Sequence, residues 1–374
     1  MLESVFASPR VQALFPRLDE LARDFASRAA EHDREGSCPG ENFPPLIQAG
    51  IPALSVPERL GGQGYDLVET LFVVERLARG CPSTALILAM TLHLVGGAAD
   101  AEVWPEPVYA ALCESVLQGA LINSVASEPE LGSPSRGGLP CTQAEQVDGA
   151  WRLTGRKTFA TGAPVLTHFL VQARIQDEIG EFLVLSSDPG LRIDPTWDTL
   201  GMRATASHDL VLEGAVGSLM RRFTGDRFKR SPRPWFYLSV AAVYLGLAAC
   251  CAREAAAYAC SRRPTNLGGK SIAELESVRA LMGQLEAERL QAGSLLYTVA
   301  RAACDPLLGP EVGLAKVRAT EAALQAAQLA ARIVGGAALD RRLPFERLLR
   351  DAQAGPFHPP NPAQALDALA FINR

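Results

Sequence analysis

The sequence predicts an α+β fold that is mostly helical, with a helical block, a β module and a second helical block in that order. Three observations predict it. Before residue 120, apolar side chains recur at spacings of three and four. Between 120 and about 216 the chain breaks into short β-prone runs separated by Gly, Pro and Asp. After 231 it is rich in Ala, Leu, Arg and Glu over long stretches. The expected domains are an N-terminal helical domain at 1–119, a β domain at 120–230 and a C-terminal four-helix bundle at 231–374.

The elements follow in order. At 8–35 the residues Val11, Leu14, Phe15, Leu18, Leu21 and Phe25 make one apolar stripe, which predicts a helix. A short helix at 43–50 leads into an irregular stretch, 51–65, with prolines and Gly-Gly-Gln-Gly. Helices are expected at 66–80 and 82–99, the second almost wholly apolar and therefore interior. It carries His93, which by residue type alone reads as a satisfied core histidine. Candidate strands are 120–127, 142–147, 151–153, 157–161, 168–173, 181–186 and 209–213. The basic, proline-bearing linker 227–234 is expected to be disordered. Bundle helices are expected at 237–261, 271–304, 311–334 and 344–352, with Ala241, Ala242, Gly246, Ala248 and Ala249 letting neighbours approach closely.

Composition excludes several classes. A chain of 374 residues, 48% hydrophobic, supports a sizeable core. Its 36 basic and 41 acidic residues are intermixed, so neither a nucleic-acid face nor an acidic tail is expected. Eight cysteines without a CxxC pair suggest neither a metal site nor a disulfide framework, and reduced thiols fit a cytoplasmic protein. The charged N-terminus lacks a signal h-region, and the chain is read as having no 18-residue uncharged apolar run, so no membrane partner is expected. Paired glycines occur, but none forms GxGxxG between strand and helix.

Two places carry candidate chemistry. The β-prone runs 120–127 and 151–161 hold Ser127, Thr158 and Thr161, whose hydroxyls and backbone amides suit the polar edge of a flat heterocycle such as a flavin, while Phe159 suits its face. The step Glu128-Pro129 followed by Gly132-Ser133 also reads as an ordinary turn. His358 sits in Gly-Pro-Phe-His-Pro-Pro-Asn-Pro, where prolines hold an imidazole at low entropic cost; the plainer alternative is a rigid loop with an incidental histidine.

The order of blocks, together with Ser-Glu-Pro-Glu-Leu-Gly-Ser at 127–133, Gly-Arg-Lys-Thr-Phe-Ala-Thr-Gly at 155–162, Leu-Gly-Met-Arg-Ala-Thr at 200–205 and Pro-Phe-Glu-Arg-Leu-Leu-Arg-Asp-Ala at 344–352, resembles the acyl-CoA dehydrogenase superfamily over nearly the whole chain. The resemblance implies an acyl-CoA dehydrogenase-like fold with a β-barrel-like middle domain. It also implies FAD, or alternatively FMN, held between that domain and the bundle. Ser127, Phe159 and Thr161 match flavin-ring positions, and Ser133 matches a position near a thioester substrate. Arg263 and Gly336, with Gly335 beside it, match positions that reach a neighbouring subunit's FAD, so a homotetramer or homodimer is implied; Arg332, in the same cofactor region, replaces the glutamine the family carries there, which leaves FMN open.

Two departures from the pattern matter. The loop after Arg350-Asp351-Ala352 places Pro359 where most members carry the glutamate base, and Phe236 occupies the alternative glutamate position. His358 lies one residue away, in the register where the family's monooxygenase branch, similar to dibenzothiophene monooxygenase, carries a histidine. The same branch resembles this chain at 197–205, His93 and Asn123, the last a candidate substrate contact. The resemblance therefore implies a flavin-dependent oxidoreductase. The first reading is oxidation of an acyl-CoA or related thioester with hydride transfer to flavin N5, His358 as base and a separate electron acceptor. The second is a reduced-flavin-dependent monooxygenase of a small sulfur, nitrogen or aromatic substrate, served by a flavin reductase, with His358 or His93 near the flavin. A flavin-less scaffold is the third.

Overall fold

Ser8 starts the first long helix: its hydroxyl accepts the Val11 backbone N–H at 3.3 Å, and Pro9 supplies a first-turn residue that needs no partner for its nitrogen. The computed structural model describes residues 1–131, 138–223, 233–303 and 309–370. Most of the linker 227–234, and Ser133, lie outside the described residues. In chain order the first block contains α1 (Leu2–Phe6), α2 (Pro9–Glu35), α3 (Phe43–Gln48), α4 (Leu67–Ala78), α5 (Pro82–Ala101) and α6 (Glu106–Leu117). Helices α1 and α6 are additions to the sequence expectation. Each is too short, or too evenly apolar, to show a clear stripe.

The β module contains β1 (Ile122–Val125), β2 (Gln143–Val147), β3 (Ala150–Lys157), β4 (His168–Ile175), β5 (Glu178–Leu185), β6 (Leu191–Asp194) and β7 (Asp209–Phe223). Strands β4, β2, β3, β7 and β5 pair in sequence, and β5 pairs back to β4, so the sheet closes on itself. The barrel-like expectation holds. Two strand expectations are corrected. The runs 151–153 and 157–161 are not separate strands: β3 is continuous to Lys157, and residues 158–161 leave the sheet. The run 209–213 is the start of a 15-residue strand, because Gly214 at φ 71° inserts as a bulge opposite Leu153 and Thr154 and lets β7 bend on to reach β5.

The last block contains α7 (Arg233–Ser261), α8 (Glu276–Ala302), α9 (Pro310–Val334), α10 (Phe345–Gln353) and α11 (Pro362–Ala370). Helices α4 and α5 pack along α7, so the two helical blocks share one core. At Gly246 a Cβ would lie 2.3 Å from the Glu75 carbonyl oxygen, so only glycine permits that α4–α7 approach. The expectation that no 18-residue uncharged apolar run exists is corrected. Helical stretches Pro82–Ala101, Pro234–Ser261 and Pro310–Leu339 are long and apolar enough to cross a membrane. Their most apolar windows are buried inside the protein to 83%, 78% and 50%, which accounts for apolar residues around the whole helix.

One junction ties the three blocks together. Arg350 of α10 donates to both carboxylate oxygens of Asp33 on α2, at 3.0 and 2.6 Å, and to the Leu200 carbonyl at 3.0 Å. Asp351 accepts the Met202 N–H at 2.6 Å, and Arg203 donates to the Asp33 carbonyl at 2.8 Å. Gly201 lies against the Arg350 backbone, where a Cβ would meet the carbonyl oxygen at 2.0 Å. The motifs at 200–205 and 350–352 are thus a structural joint as well as a sequence signature.

Candidate active site

The loop after β3 builds the first half of the site. Its backbone is laced to two other segments: Thr158 N–H donates to the Ser127 carbonyl at 2.9 Å, Ala160 N–H to the His208 carbonyl at 3.1 Å and Gly162 N–H to the Thr205 carbonyl at 2.9 Å. This lacing holds Phe159 in the left-handed region, φ 59°, a conformation that costs an aromatic residue roughly 1–2 kcal/mol. The ring is 63% exposed. It meets Trp197 edge-on, with centroids 5.9 Å apart at 78°. Trp197 is itself fixed by Nε1 donating to the Met202 carbonyl at 3.1 Å and by its backbone N–H donating to His208 Nδ1 at 3.1 Å. Thr161 Oγ1 accepts from Ser207 Oγ at 3.0 Å, and Asn123 Nδ2 donates to the Thr161 carbonyl at 3.1 Å.

Ser127, Asn123, Phe159 and Thr161 are therefore brought together. An exposed aromatic face presented by a strained backbone, beside hydroxyls and a rigid indole, fits a flat heterocycle such as a flavin ring. Ser207 was not a sequence candidate. It follows the Leu-Gly-Met-Arg-Ala-Thr motif by two residues, and only the fold carries it to Thr161.

Glu128, next to Ser127, is more than a turn residue. It is buried and accepts from the Cys141 N–H at 2.6 Å, the Thr142 N–H at 3.0 Å and Lys157 Nζ at 2.6 Å, and both side chains of that ion pair are fully enclosed. Burial alone pushes the Glu128 carboxyl up, but Lys157 and the two backbone donors hold it below its ordinary range. The pair anchors the end of β3 from which Phe159 projects.

The two histidines flank α7 at different places. His93 is buried, and burial pushes its imidazole down to about 3, so it is neutral at pH 7. The expectation of a satisfied core histidine is corrected: Nδ1 has no hydrogen-bond partner among the described residues. Its ring meets Phe236, centroids 5.1 Å apart. Phe236 is the residue that the resemblance to the family places at the alternative glutamate position.

His358 is half-buried and meets Tyr244 with centroids 5.8 Å apart. Phe236 and Tyr244 are eight residues apart on α7, so the two histidines meet that helix about 12 Å apart along its axis. Burial first and the Lys316 ammonium second push His358 down to about 4. Lys316, which no sequence signal indicated, is fully buried on α9. It donates to the carbonyls of Gly355 at 2.9 Å, His358 at 2.5 Å and Pro360 at 3.2 Å.

Arg263, Arg332, Gly335 and Gly336 stand on the exposed surface at the ends of α7 and α9. Arg263 donates to the Gly269 carbonyl at 2.8 Å, and a Cβ at either glycine would meet nothing within 4 Å. Among the described residues no hydrogen bond or ring contact joins these four to the Phe159 loop.

Comparison with known proteins adds to this geometry. Family models match at three places: acyl-CoA dehydrogenase, N-terminal domain, at 14–100; middle domain at 124–215; and C-terminal domain at 237–357. The chain is 39% identical over 363 residues to the putative acyl-CoA dehydrogenase YdbM of Bacillus subtilis, covering 95% of this chain and 94% of that one. It superposes with a TM-score of 0.82 and 26% identity on KijD3 in complex with FMN and a dTDP-linked amino-keto sugar, covering 97% and 93% of the two chains. It also superposes with a TM-score of 0.81 and 21% identity on dibenzothiophene monooxygenase TdsC from Paenibacillus sp. A11-2, covering 96% of each chain, which shows a shared fold.

Proposed function

The chain belongs to the acyl-CoA dehydrogenase family, a family of flavin-dependent oxidoreductases, and from that premise we propose that it is a monooxygenase that uses externally supplied reduced flavin and O2 on a small substrate. Bound flavin would supply the two-electron chemistry, one oxygen atom entering the substrate and the other leaving as water. Ser127, Phe159 and Thr161 would hold the ring, Asn123 would shape the substrate side, and Trp197 would brace Phe159.

The observation that carries the reading is Lys316 beside His358. Abstraction of a substrate α-proton by His358 would create an imidazolium beside Lys316, whose ammonium, at pH values below about 7 where it keeps its proton, disfavours a second positive charge in a low-dielectric site. At the two positions where the resemblance expects a glutamate base, the chain carries Pro359 and Phe236 instead. A neutral imidazole that gives or accepts a hydrogen bond where negative charge develops suits oxygen chemistry better. His93, neutral and with a free Nδ1 against Phe236, serves the same purpose on the other side.

Acyl-thioester dehydrogenation is the second reading. It is supported by the neutral state of His358 at pH 7, which leaves it able to take a proton, and by the identity to a putative acyl-CoA dehydrogenase. The cofactor is FMN or FAD, and the exposed Arg263, Arg332, Gly335 and Gly336 support a homo-oligomer in which a neighbour's FAD reaches that surface. A cytoplasmic place, with a flavin reductase or an electron acceptor as partner, belongs to the same proposal.

The test is anaerobic mixing of flavin-loaded protein with a panel of acyl-CoA esters, followed by aerobic incubation of candidate sulfur, nitrogen and aromatic substrates with reduced flavin. Oxygen-dependent product without anaerobic bleaching is expected. Bleaching by a thioester overturns the oxygenase reading in favour of the second, and a protein that stays colourless with added flavin overturns both.

A further inference from the structure

Lys316 is an unusual group: a lysine with no exposed surface whose three ammonium donors are all spent on backbone carbonyls and none on a carboxylate. The reason lies in the loop it holds. Residues 355–360 include Pro356, Pro359 and Pro360, which have no N–H, so the segment has few donors of its own. Its carbonyls need an outside partner with several donors at one point, and only a lysine presents three. The same face of α9 forms the floor of the loop. Gly313 packs under Pro360 and Ala365, and Thr320 packs under Gly355, where a Cβ would lie 2.9 Å from the threonine's own.

Other ionisable groups nearby do not neutralise this charge. On α7, Tyr244 is buried with its hydroxyl unpartnered among the described residues. On α10, Asp351 is engaged by the Met202 N–H and lies 3.9 Å from Arg347. On α9 itself, Glu311 keeps one buried carboxylate oxygen without a partner among the described residues, and Asp367 of α11 is exposed. None forms an ion pair with Lys316 among the described residues.

We propose that Lys316 is a positioning residue for His358: its ammonium, held against three carbonyls, fixes the loop and places beside the imidazole a positive charge that opposes a second one. This rests on the functional reading of His358 given above and adds its control. Two consequences follow. Proton uptake by the imidazole, already disfavoured by burial, is opposed further, and its ring is held against Tyr244 rather than free to turn outward. Because burial pushes Lys316 down to about 7, its own charge is lost when pH rises through that point, and the opposition then fades.

The experiment is NMR titration of the full chain labelled at histidine side chains, with the His358 signal assigned from His358→Gln. In the wild type the imidazole is expected to titrate near 4, with a second, smaller inflection at higher pH when Lys316 loses its proton. In Lys316→Met, nearly the same in volume, the His358 midpoint is expected to rise by about one pH unit, roughly tenfold in proton affinity, and the second inflection to vanish. A midpoint that stays put in a folded Lys316→Met overturns the proposal. Should that variant not fold, the wild type decides alone: absence of any second inflection between about pH 6 and 11, the span of buried to ordinary lysines, overturns it. The pH profile of turnover separates this from the reading of function. If the midpoint moves while the acid limb of turnover does not, Lys316 controls His358 as proposed, and it is the role of His358 in the reaction that fails.

Discussion

Replacing Lys157 with Met tests whether the buried ion pair beneath the Phe159 loop holds the β module in place. The substitution keeps the stem and removes the ammonium, leaving the enclosed Glu128 carboxylate with only the Cys141 and Thr142 backbone donors. Breaking such a pair on one side costs about 3–5 kcal/mol. The protein has one escape, protonation of Glu128. From the ordinary glutamate value of 4.5 that costs about 3.4 kcal/mol at pH 7, at roughly 1.36 kcal/mol per pH unit, so the loss is capped near that figure. The sign with pH follows. In the wild type the Glu128 carboxyl is held below its ordinary value, so its contribution is present above about 4.5 and is lost as pH falls through the lower folded value. In the variant the cap falls with pH, to about 0.7 kcal/mol at pH 5. Urea unfolding at pH 7 and pH 5 reads both, and Glu128→Gln combined with Lys157→Met is expected to recover most of the loss at pH 7 because no charge is left stranded. A single variant within about 1 kcal/mol of wild type at pH 7, below the mutational range for a broken buried pair, or a loss that does not shrink at pH 5, refutes the reasoning.

Three further outcomes are expected. Thr161→Val and Ser127→Ala should each weaken flavin retention by about 0.5–1.5 kcal/mol, and Phe159→Ala by more because stacking area goes too; flavin fluorescence titration measures this, and wild-type affinity in all three misplaces the site. Arg263→Ala should weaken FAD more than FMN, which lacks the second phosphate and the adenosine; equal losses in calorimetric titrations assign the arginine a structural role. His358→Ala should lower turnover by about 10²–10⁴ with flavin content and melting temperature near wild type, and full activity would remove His358 from the mechanism.

The legible part of the molecule is local. Helices α2, α4, α5, α7 and α9 show in the spacing of apolar side chains because each buries a face or a whole circumference, and burial writes its period into the sequence. The grouping of Ser127 with Phe159 and Thr161 is legible for a related reason: two β-prone runs carrying hydroxyls and an aromatic make a recognisable pair. Strand β7 is legible only at its start, since Gly214 reads as a stop when it is a bulge that carries the strand onward.

The sequence by itself determined the order of helical and β blocks and the candidate flavin-ring residues, because these are statements about residue type and short-range spacing; the vacancy of both glutamate positions is what the resemblance to the family implies. Only the tertiary structure decided that the sheet closes on itself, that Asp33 meets Arg350 across 317 residues, that Ser207 reaches Thr161, and that Lys316 stands under His358 from a helix 42 residues earlier. Those contacts join segments that share no periodicity. A buried lysine on an apolar helix looks like an exposed one until the chain has folded and its three donors have found the carbonyls of a proline-rich loop.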